Sequence, residues 1–351
     1  MNYFRIVSVL RILVHSRFYP NIGGIETVAS LLAHEWRRAG EEVILASDVS
    51  CSAEQKRAFP FPVYYQPGPC KWLALMRWCD IYLQFNVSLK AAWPLLLVRR
   101  PLVVSHQSFY WVSQNGRHGW RNRFKIHLAA KSCNIFASSA IAKELGVGGE
   151  VIPNPFDDTQ FCQKEVVPRD RDLAFVGRLV SDKGVDCLLR ALALLKKRRL
   201  SPGLSIIGDG PERSRLERLC AELDLCDQVR FLGAMSQSEI SALLWRHQIL
   251  VVPTLVAEGF GVVALEGLAS GCVVIGSDYG GLPEAIGPGG MTFPNGDMES
   301  LAEKLELALT GRDVTPKPAG FAESHLANHR PALVAGRYLE VMRQTLSWTS
   351  T

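Results

Sequence analysis

Short apolar runs alternate with stretches of helical periodicity along almost the whole chain. Arg11–His15 (RILVH) reads as a buried strand. From Gly24 to Arg38 the apolar residues Ile25, Val28, Leu31, Leu32 and Trp36 recur at helical spacing, and Ala39-Gly40 stops the helix. Val43–Ala46 is the next strand, completing a βαβ unit with Gly23-Gly24 at the helix entrance, where a backbone or a phosphate can come close. Asp80–Phe85 and Leu102–Ser105 are predicted strands with a helix-like run between them. Asn134–Ala137 is another, and Ser138/Ser139 opens a short helix. Residues 50–72, rich in proline and aromatics, show no clear element.

Val151–Asp157 (VIPNPFD) has two prolines around an asparagine and reads as a linker. A second series follows, with strands at Leu173–Val176, Leu204–Ile207, Val229–Leu232, Ile249–Val252 and Val273–Ile275. Its predicted helices are 185–199, Pro211 or Glu212 to Glu222, Glu239–Trp245, Val262–Ser270 and Asp297–Leu309, and residues 321–346 read as mostly helical. Two such series predict an α/β chain of two doubly wound domains facing one another across a cleft, with ligands at the carboxyl ends of the strands. The expected domains are 1–152 and 153–330, and a C-terminal helix of about 330–351 is able to pack back on the first.

A length of 351 residues suits two domains, and 48% apolar with 21% charged residues is ordinary for a soluble globular chain. The charge is uneven. Residues 1–152 carry 18 Lys and Arg against 9 Asp and Glu, whereas the remainder carries 21 against 25. A basic first half points to anionic partners there. The stretch Arg117–Lys131, with Arg121, Arg123, Lys125 and Lys131 beside Trp120, Phe124 and Leu128, reads as a basic helix. It suits an acidic membrane surface or simply a solvated face. No aromatic-plus-basic motif for nucleic acid accompanies it. Nine cysteines without a Cys-x-x-Cys pair suit a reduced, cytoplasmic chain. The apolar start is interrupted by Arg5 and Arg11, and Ala91–Ser105 by Pro94, Arg99, Arg100 and Pro101, so no membrane-spanning helix is expected.

The densest chemistry lies in Glu258–Glu266, EGFGVVALE, between the predicted strand Ile249–Val252 and the helix ended by Gly271. A strand, a glycine-bearing loop and a helix together present free N–H groups and a positive helix end, where anions bind. The carboxylates Glu258 and Glu266 suit sugar hydroxyls better than phosphate. One ligand carrying both a diphosphate and sugars satisfies the whole stretch. Gly177–Gly184 (GRLVSDKG) adds Arg178 and Lys183 on another loop at a strand's carboxyl end, suited to developing negative charge. His106 stands at the end of Leu102–Ser105, either as a loop residue or touching substrate. Asp170-Arg-Asp172 has the form of a metal-binding Asp-x-Asp pair but precedes its strand, so no metal is expected.

With these residues assembled, the chain resembles the retaining glycosyltransferases of family 4, the glycosyl transferases group 1 class with the GT-B fold. The carriers are VIPNPFD (151–157), FVGRLVSDKGVD (175–186), IIGDGPE (206–212), VRFLG (229–233), EGFGVVALEGLASGCVV (258–274) and GGLPEAI (280–286). IGGIE (22–26) and SHQS (105–108) extend the match into the first half. The resemblance implies a nucleoside-diphosphate sugar, UDP- or GDP-linked, on the second domain and a glycan or lipid-linked acceptor on the first. It implies no cofactor and no metal, and points to surface polysaccharide or glycolipid synthesis by a cytoplasmic enzyme that can touch the inner face of a membrane. By the same resemblance Arg178 and Lys183 hold the diphosphate, Glu258 meets the transferred sugar and Glu266 the ribose. Phe260, Gly261 and Val262 offer backbone N–H groups, while Gly24, Asn154 and Gly208 border the donor and His106 stands beside the reacting sugar. The chain departs from the pattern at Pro155, where glycine is common, and at Gln107, where Asp or Asn commonly follows the histidine. Another GT-B enzyme such as an epimerase or phosphorylase, or a non-catalytic sugar-nucleotide-binding protein on a decayed fold, are the competing readings.

Overall fold

The computed structural model describes residues 9–19, 23–52, 58–110, 120–162, 167–311 and 321–349. The chain divides into two compact units: residues 1–155 together with 331–351, and residues 156–330. The passage between them falls at Pro155–Phe156. Of the stretch VIPNPFD, Val151 is already the end of a strand.

In the first unit, the strands are β1 Arg11–His15, β2 Glu42–Ser47, β3 Val63–Tyr65, β4 Ile81–Phe85, β5 Leu102–His106, β6 Cys133–Phe136 and β7 Glu150–Val151. Its helices are α1 Gly24–Arg38, α2 Pro69–Trp78, α3 Leu89–Ala92, α4 Trp120–Ala130 and α5 Ser139–Leu145. The second unit has β8 Arg171–Val176, β9 Leu204–Ile207, β10 Val229–Gly233, β11 His247–Val252, β12 Val273–Ser277 and β13 Met291–Phe293. Its helices are α6 Val185–Lys197, α7 Arg213–Glu222, α8 Gln237–Leu244, α9 Val262–Ala269, α10 Leu282–Ile286, α11 Met298–Thr310 and α12 Phe321–Ala327. Helix α13, Pro331–Thr349, returns to the first unit.

Both sheets are parallel throughout. Their orders are β3-β2-β1-β4-β5-β6-β7 and β10-β9-β8-β11-β12-β13. Each order reverses at its first strand, between β1 and β4 and between β8 and β11. That reversal leaves a crevice at the carboxyl edge because the two flanking loops run to opposite faces of the sheet. Helices cover both faces, so the central strands are buried along their length: every residue of β4, β5 and β9 is buried.

Helix α13 is joined to the first unit by polar bonds as well as apolar packing. Trp36 on α1 donates its indole N–H to the Ala335 carbonyl at 3.1 Å, and its ring lies 6.0 Å from that of Tyr338. Arg343 pairs with the buried Glu41, which also accepts the Leu10 N–H at 2.6 Å. A buried carboxylate needs such partners, since an unpaired charge away from water is costly.

Several elements differ from expectation. Residues 63–65 and 69–78 are ordered as β3 and α2, the latter opened by Pro69 at the first helical position, where proline's missing N–H costs nothing. The helix-like run before Leu102 is one turn, α3, followed by a 3-10 turn over Trp93–Leu96, because Pro94 cannot continue an α-helix. Strand β13 was not expected. Of the basic helix, Trp120–Ala130 is described; Arg117, like Ile22 and residues 1–8, lies outside the described residues.

Candidate active site

The crevice of the second unit is bordered by the loops after β8 and β11, and its floor is set by glycines. A Cβ on Gly208 would stand 1.9 Å from the Gly177 carbonyl oxygen, and one on Gly184 would stand 1.9 Å from that of Pro253. Only glycine allows backbones to touch this closely. The loops are then stitched together by main-chain bonds: Gly177 N–H to Ile207 at 3.0 Å, Leu179 N–H to Asp209 at 3.0 Å and Leu255 N–H to Asp182 at 2.8 Å. Gly208 therefore acts by shape, holding the Arg178 loop against the loop after β9.

On this frame Arg178 is exposed and makes no ion pair among the described residues. Lys183, on a 3-10 turn over Ser181–Lys183, is half-buried and pairs with Glu258 across the switch point. Thr254 donates its hydroxyl to the same Glu258 oxygen at 3.2 Å. The Glu258 carbonyl accepts the Gly281 N–H at 2.8 Å, and a Cβ on Gly280 would stand 2.6 Å from that carbonyl. A loop carboxylate fixed through both main chain and side chain is preorganised for an oriented ligand.

Two residues beyond Glu258, Phe260 is buried and Gly261 takes a left-handed φ of 94° as the N-cap of α9. No side chain caps this helix; the Ala264 N–H goes to the Gly261 carbonyl at 2.9 Å, which leaves those of Val262 and Val263, without a bond among the described residues, to an anion. Gly267, where a Cβ would be 2.4 Å from Leu250 Cδ2, lets α9 lie close on the sheet. Glu266, one turn in, has no hydrogen-bond partner among the described residues. Burial, and then the negative charge of Asp157, push its carboxyl up to about 7. Asp157 itself accepts N–H groups of Thr159 and Gln160, each at 3.1 Å.

The first unit holds the other expected residues. Gly24 opens α1, and none of the described residues comes within 4 Å of where a Cβ would be, so their packing does not require a glycine there. Asn154 is buried and donates to Gln107 Oε1 at 2.7 Å; Gln107 Nε2 in turn donates to Ser105 Oγ at 2.8 Å, which contacts Tyr338 Oη at 2.8 Å. The departure at Gln107 thus fastens the end of β5 to the chain after β7 and to α13.

His106, expected beside the reacting sugar, is packed inside the first unit. Its ring is fully buried, stacked 5.0 Å from Phe136, with both nitrogens engaged. Asn134 Nδ2 faces three carbonyls, of Ala129, Ser132 and Gly148, which fixes its Oδ1 as the atom 2.9 Å from His106 Nε2. Nε2 therefore carries the proton, and Nδ1 accepts from Tyr110 Oη at 2.8 Å. Burial lowers the pKa to about 4, keeping the ring neutral. As placed, the imidazole supports the end of β5 and has no nitrogen left for a substrate. Its position after a strand was legible; the inward rotamer depends on Asn134 and Tyr110.

Asp170 pairs with Arg246, with Nε to Oδ1 at 3.0 Å, and Asp172 accepts the Gly203 N–H at 2.8 Å. Both are engaged at the amino edge of β8. Among the described residues no group of three His, Cys, Asp or Glu is arranged to hold a metal.

Residues 157–324 match the family described as Glycosyl transferases group 1. Over 157 residues the chain is 34% identical to the MMP alpha-(1->4)-mannosyltransferase of Mycolicibacterium hassiacum, covering 44% of this chain and 38% of that one. Over 204 residues it is 31% identical to the glycogen synthase of Mycobacterium tuberculosis, covering 56% and 49%. The chain thus spans less than half the length of these curated relatives. Among solved structures, HepE of Anabaena in complex with UDP superposes with a TM-score of 0.78 at 20% identity, covering 95% of this chain and 100% of that one. A glycosyltransferase from Rickettsia africae superposes at 0.79 and 17%, covering 97% and 99%. The chain has the GT-B fold, and within its second unit residues 157–324 match the glycosyl transferases group 1 family.

Proposed function

We propose that the chain is a retaining glycosyltransferase of the family 4 type, moving a hexose-type sugar from a UDP- or GDP-sugar to a glycan or lipid-linked acceptor. The observation that carries this reading is the Lys183–Glu258 pair at the switch point, beside the exposed Arg178 and the start of α9, which no side chain caps. HepE of Anabaena, which shares the fold, is solved in complex with UDP, and that favours the uridine donor. Arg178, Lys183 and the α9 N–H groups take the diphosphate, Glu258 orients the sugar, and Glu266 accepts the ribose hydroxyls. The anomeric carbon–phosphate oxygen bond breaks as the acceptor oxygen bonds the same face, and the acceptor proton passes to the departing phosphate oxygen. Cationic side chains and the helix end supply the charge stabilisation, so the reading needs no metal. The first unit takes the acceptor, and a cytoplasmic role in surface polysaccharide or glycolipid synthesis fits a lipid-linked one.

Thermal-shift screening of UDP-, GDP- and ADP-sugars in EDTA tests the donor site. Ligand at ~100-fold over Kd stabilises the fold by about 2.7 kcal/mol, so one nucleotide class is expected to raise the unfolding temperature by several degrees. No shift with any class overturns the reading. Helix α4 presents Trp120 and Phe124, 64% and 59% exposed, on a helix without acidic residues. Contact with an acidic membrane through it predicts co-sedimentation with phosphatidylserine vesicles at low salt that ~0.5 M salt reverses. Failure to co-sediment at low salt removes that part.

A further inference from the structure

Phe260 sits between Gly259 and Gly261, so its loop has little backbone stiffness of its own. Phe260 is nevertheless only 2% exposed, and its ring lies 5.4 Å from that of His329, tilted by 38°. His329 is also buried, and its ring meets that of His325 at 4.7 Å. His325 Nε2 lies 2.9 Å from the Ala285 carbonyl; a carbonyl only accepts, so this nitrogen bears the proton. The His325 ring fills the space beside Gly287, where a Cβ would stand 2.4 Å from its Cε1. A continuous line of tilted and edge-on ring contacts thus runs from the glycine-flanked loop through two histidines to the end of α10. The His329 carbonyl, in turn, accepts the N–H of Phe156, the first residue of the second unit, at 3.4 Å.

We propose that His329 is a positioning residue for the donor: it clamps Phe260 and thereby fixes the backbone N–H groups of Phe260, Gly261 and Val262 toward the diphosphate. The inference rests on the donor-site reading above and adds to it a residue 69 positions away in the chain, outside every donor motif. His329 touches no ligand. It acts by removing loop conformations that a diphosphate would otherwise have to select against, and binding to a fixed loop wastes less free energy on ordering. An aromatic contact of this kind is worth about 0.5–1.5 kcal/mol beyond its buried area, which sets the expected effect at about three- to tenfold in affinity.

The test is UDP affinity by calorimetry for the full chain, wild type against His329→Leu and His329→Phe, with hydrogen exchange of residues 259–263. Leucine keeps volume without a ring, so it guards against a collapse that His329→Ala invites. Expected are a rise in UDP Kd of about three- to tenfold and faster exchange in His329→Leu, with both restored to within about twofold in His329→Phe. A structural role alone would lower the unfolding temperature of His329→Leu while leaving UDP affinity and loop exchange at wild-type values, and that result overturns the proposal. A wild-type chain that binds none of UDP, GDP and ADP removes the donor-site reading and this inference with it. Wild-type binding with unchanged variants removes this inference only.

Discussion

Lys183→Ala is expected to lower the rate of sugar transfer by about 10²–10³-fold while leaving the protein folded. The magnitude follows from where charge develops. As the glycosidic bond breaks, a diphosphate that shared electrons with the sugar carries the extra charge alone, and Lys183 is a half-buried cation on a turn locked to the β11 loop by the Asp182–Leu255 bond. Its stabilisation is greater for the leaving group than for the bound donor, so kcat falls more than donor KM rises. The fold should not suffer: a half-exposed ion pair contributes about 1 kcal/mol or less, and the unfolding temperature is expected within about 3 °C of wild type. Because Lys183 and Glu258 are partners, Lys183→Ala/Glu258→Ala should cost less than the two single losses combined. UDP release from UDP-glucose in the presence of acceptor reads each rate. Single and double variants within about threefold of wild type would show that this pair is only a surface ion pair.

The parts of the molecule that were legible in the sequence are those in which one short segment determines its own structure. Ile249–Val252 is a continuous apolar run, and Leu204–Ile207 is interrupted only by Ser205, because parallel strands are buried on both faces, and Gly208 and Gly184 mark loops where backbones touch. Strand β3 escaped because an edge strand of three half-buried residues has no apolar face to announce it. For the site, the turn and loop positions of Lys183 and Glu258 and the helical position of Glu266 were readable, but the orientation of His106 was not. It is set by Asn134, whose amide is held by three carbonyls. The clamp of Phe260 by His329 was equally invisible, since contacts between distant segments leave no periodic trace in either one. Asp157 stood in the linker motif, yet its effect on Glu266 exists only once α9 is packed.

Glu266→Gln is expected to stabilise the protein above neutral pH while weakening its hold on the donor. The carboxyl, ordinarily near 4.5, is pushed up to about 7 by burial and by Asp157, so the folded chain keeps a proton that the unfolded chain has released. Between those values the native state binds more protons than the unfolded state, and stability therefore falls as pH rises. The full shift corresponds to about 3 kcal/mol, and partial exposure of the residue brings the expected loss below that. Glutamine carries no such charge. The unfolding temperatures of wild type and variant should therefore agree near pH ~4.5, with the variant higher by several degrees at about pH 8. Donor binding should move the other way. An ionised carboxylate accepts more strongly from ribose hydroxyls than a protonated carboxyl or an amide does, so wild-type affinity for UDP-glucose should rise through about pH 7, whereas that of the variant stays flat and about 10–100-fold weaker at pH 8. UDP-glucose suits this titration because its diphosphate has no proton to lose in that range. A variant no more stable than wild type at about pH 8 would place the Glu266 carboxyl in water. Equal affinity of the two for UDP-glucose would remove Glu266 from the donor site altogether.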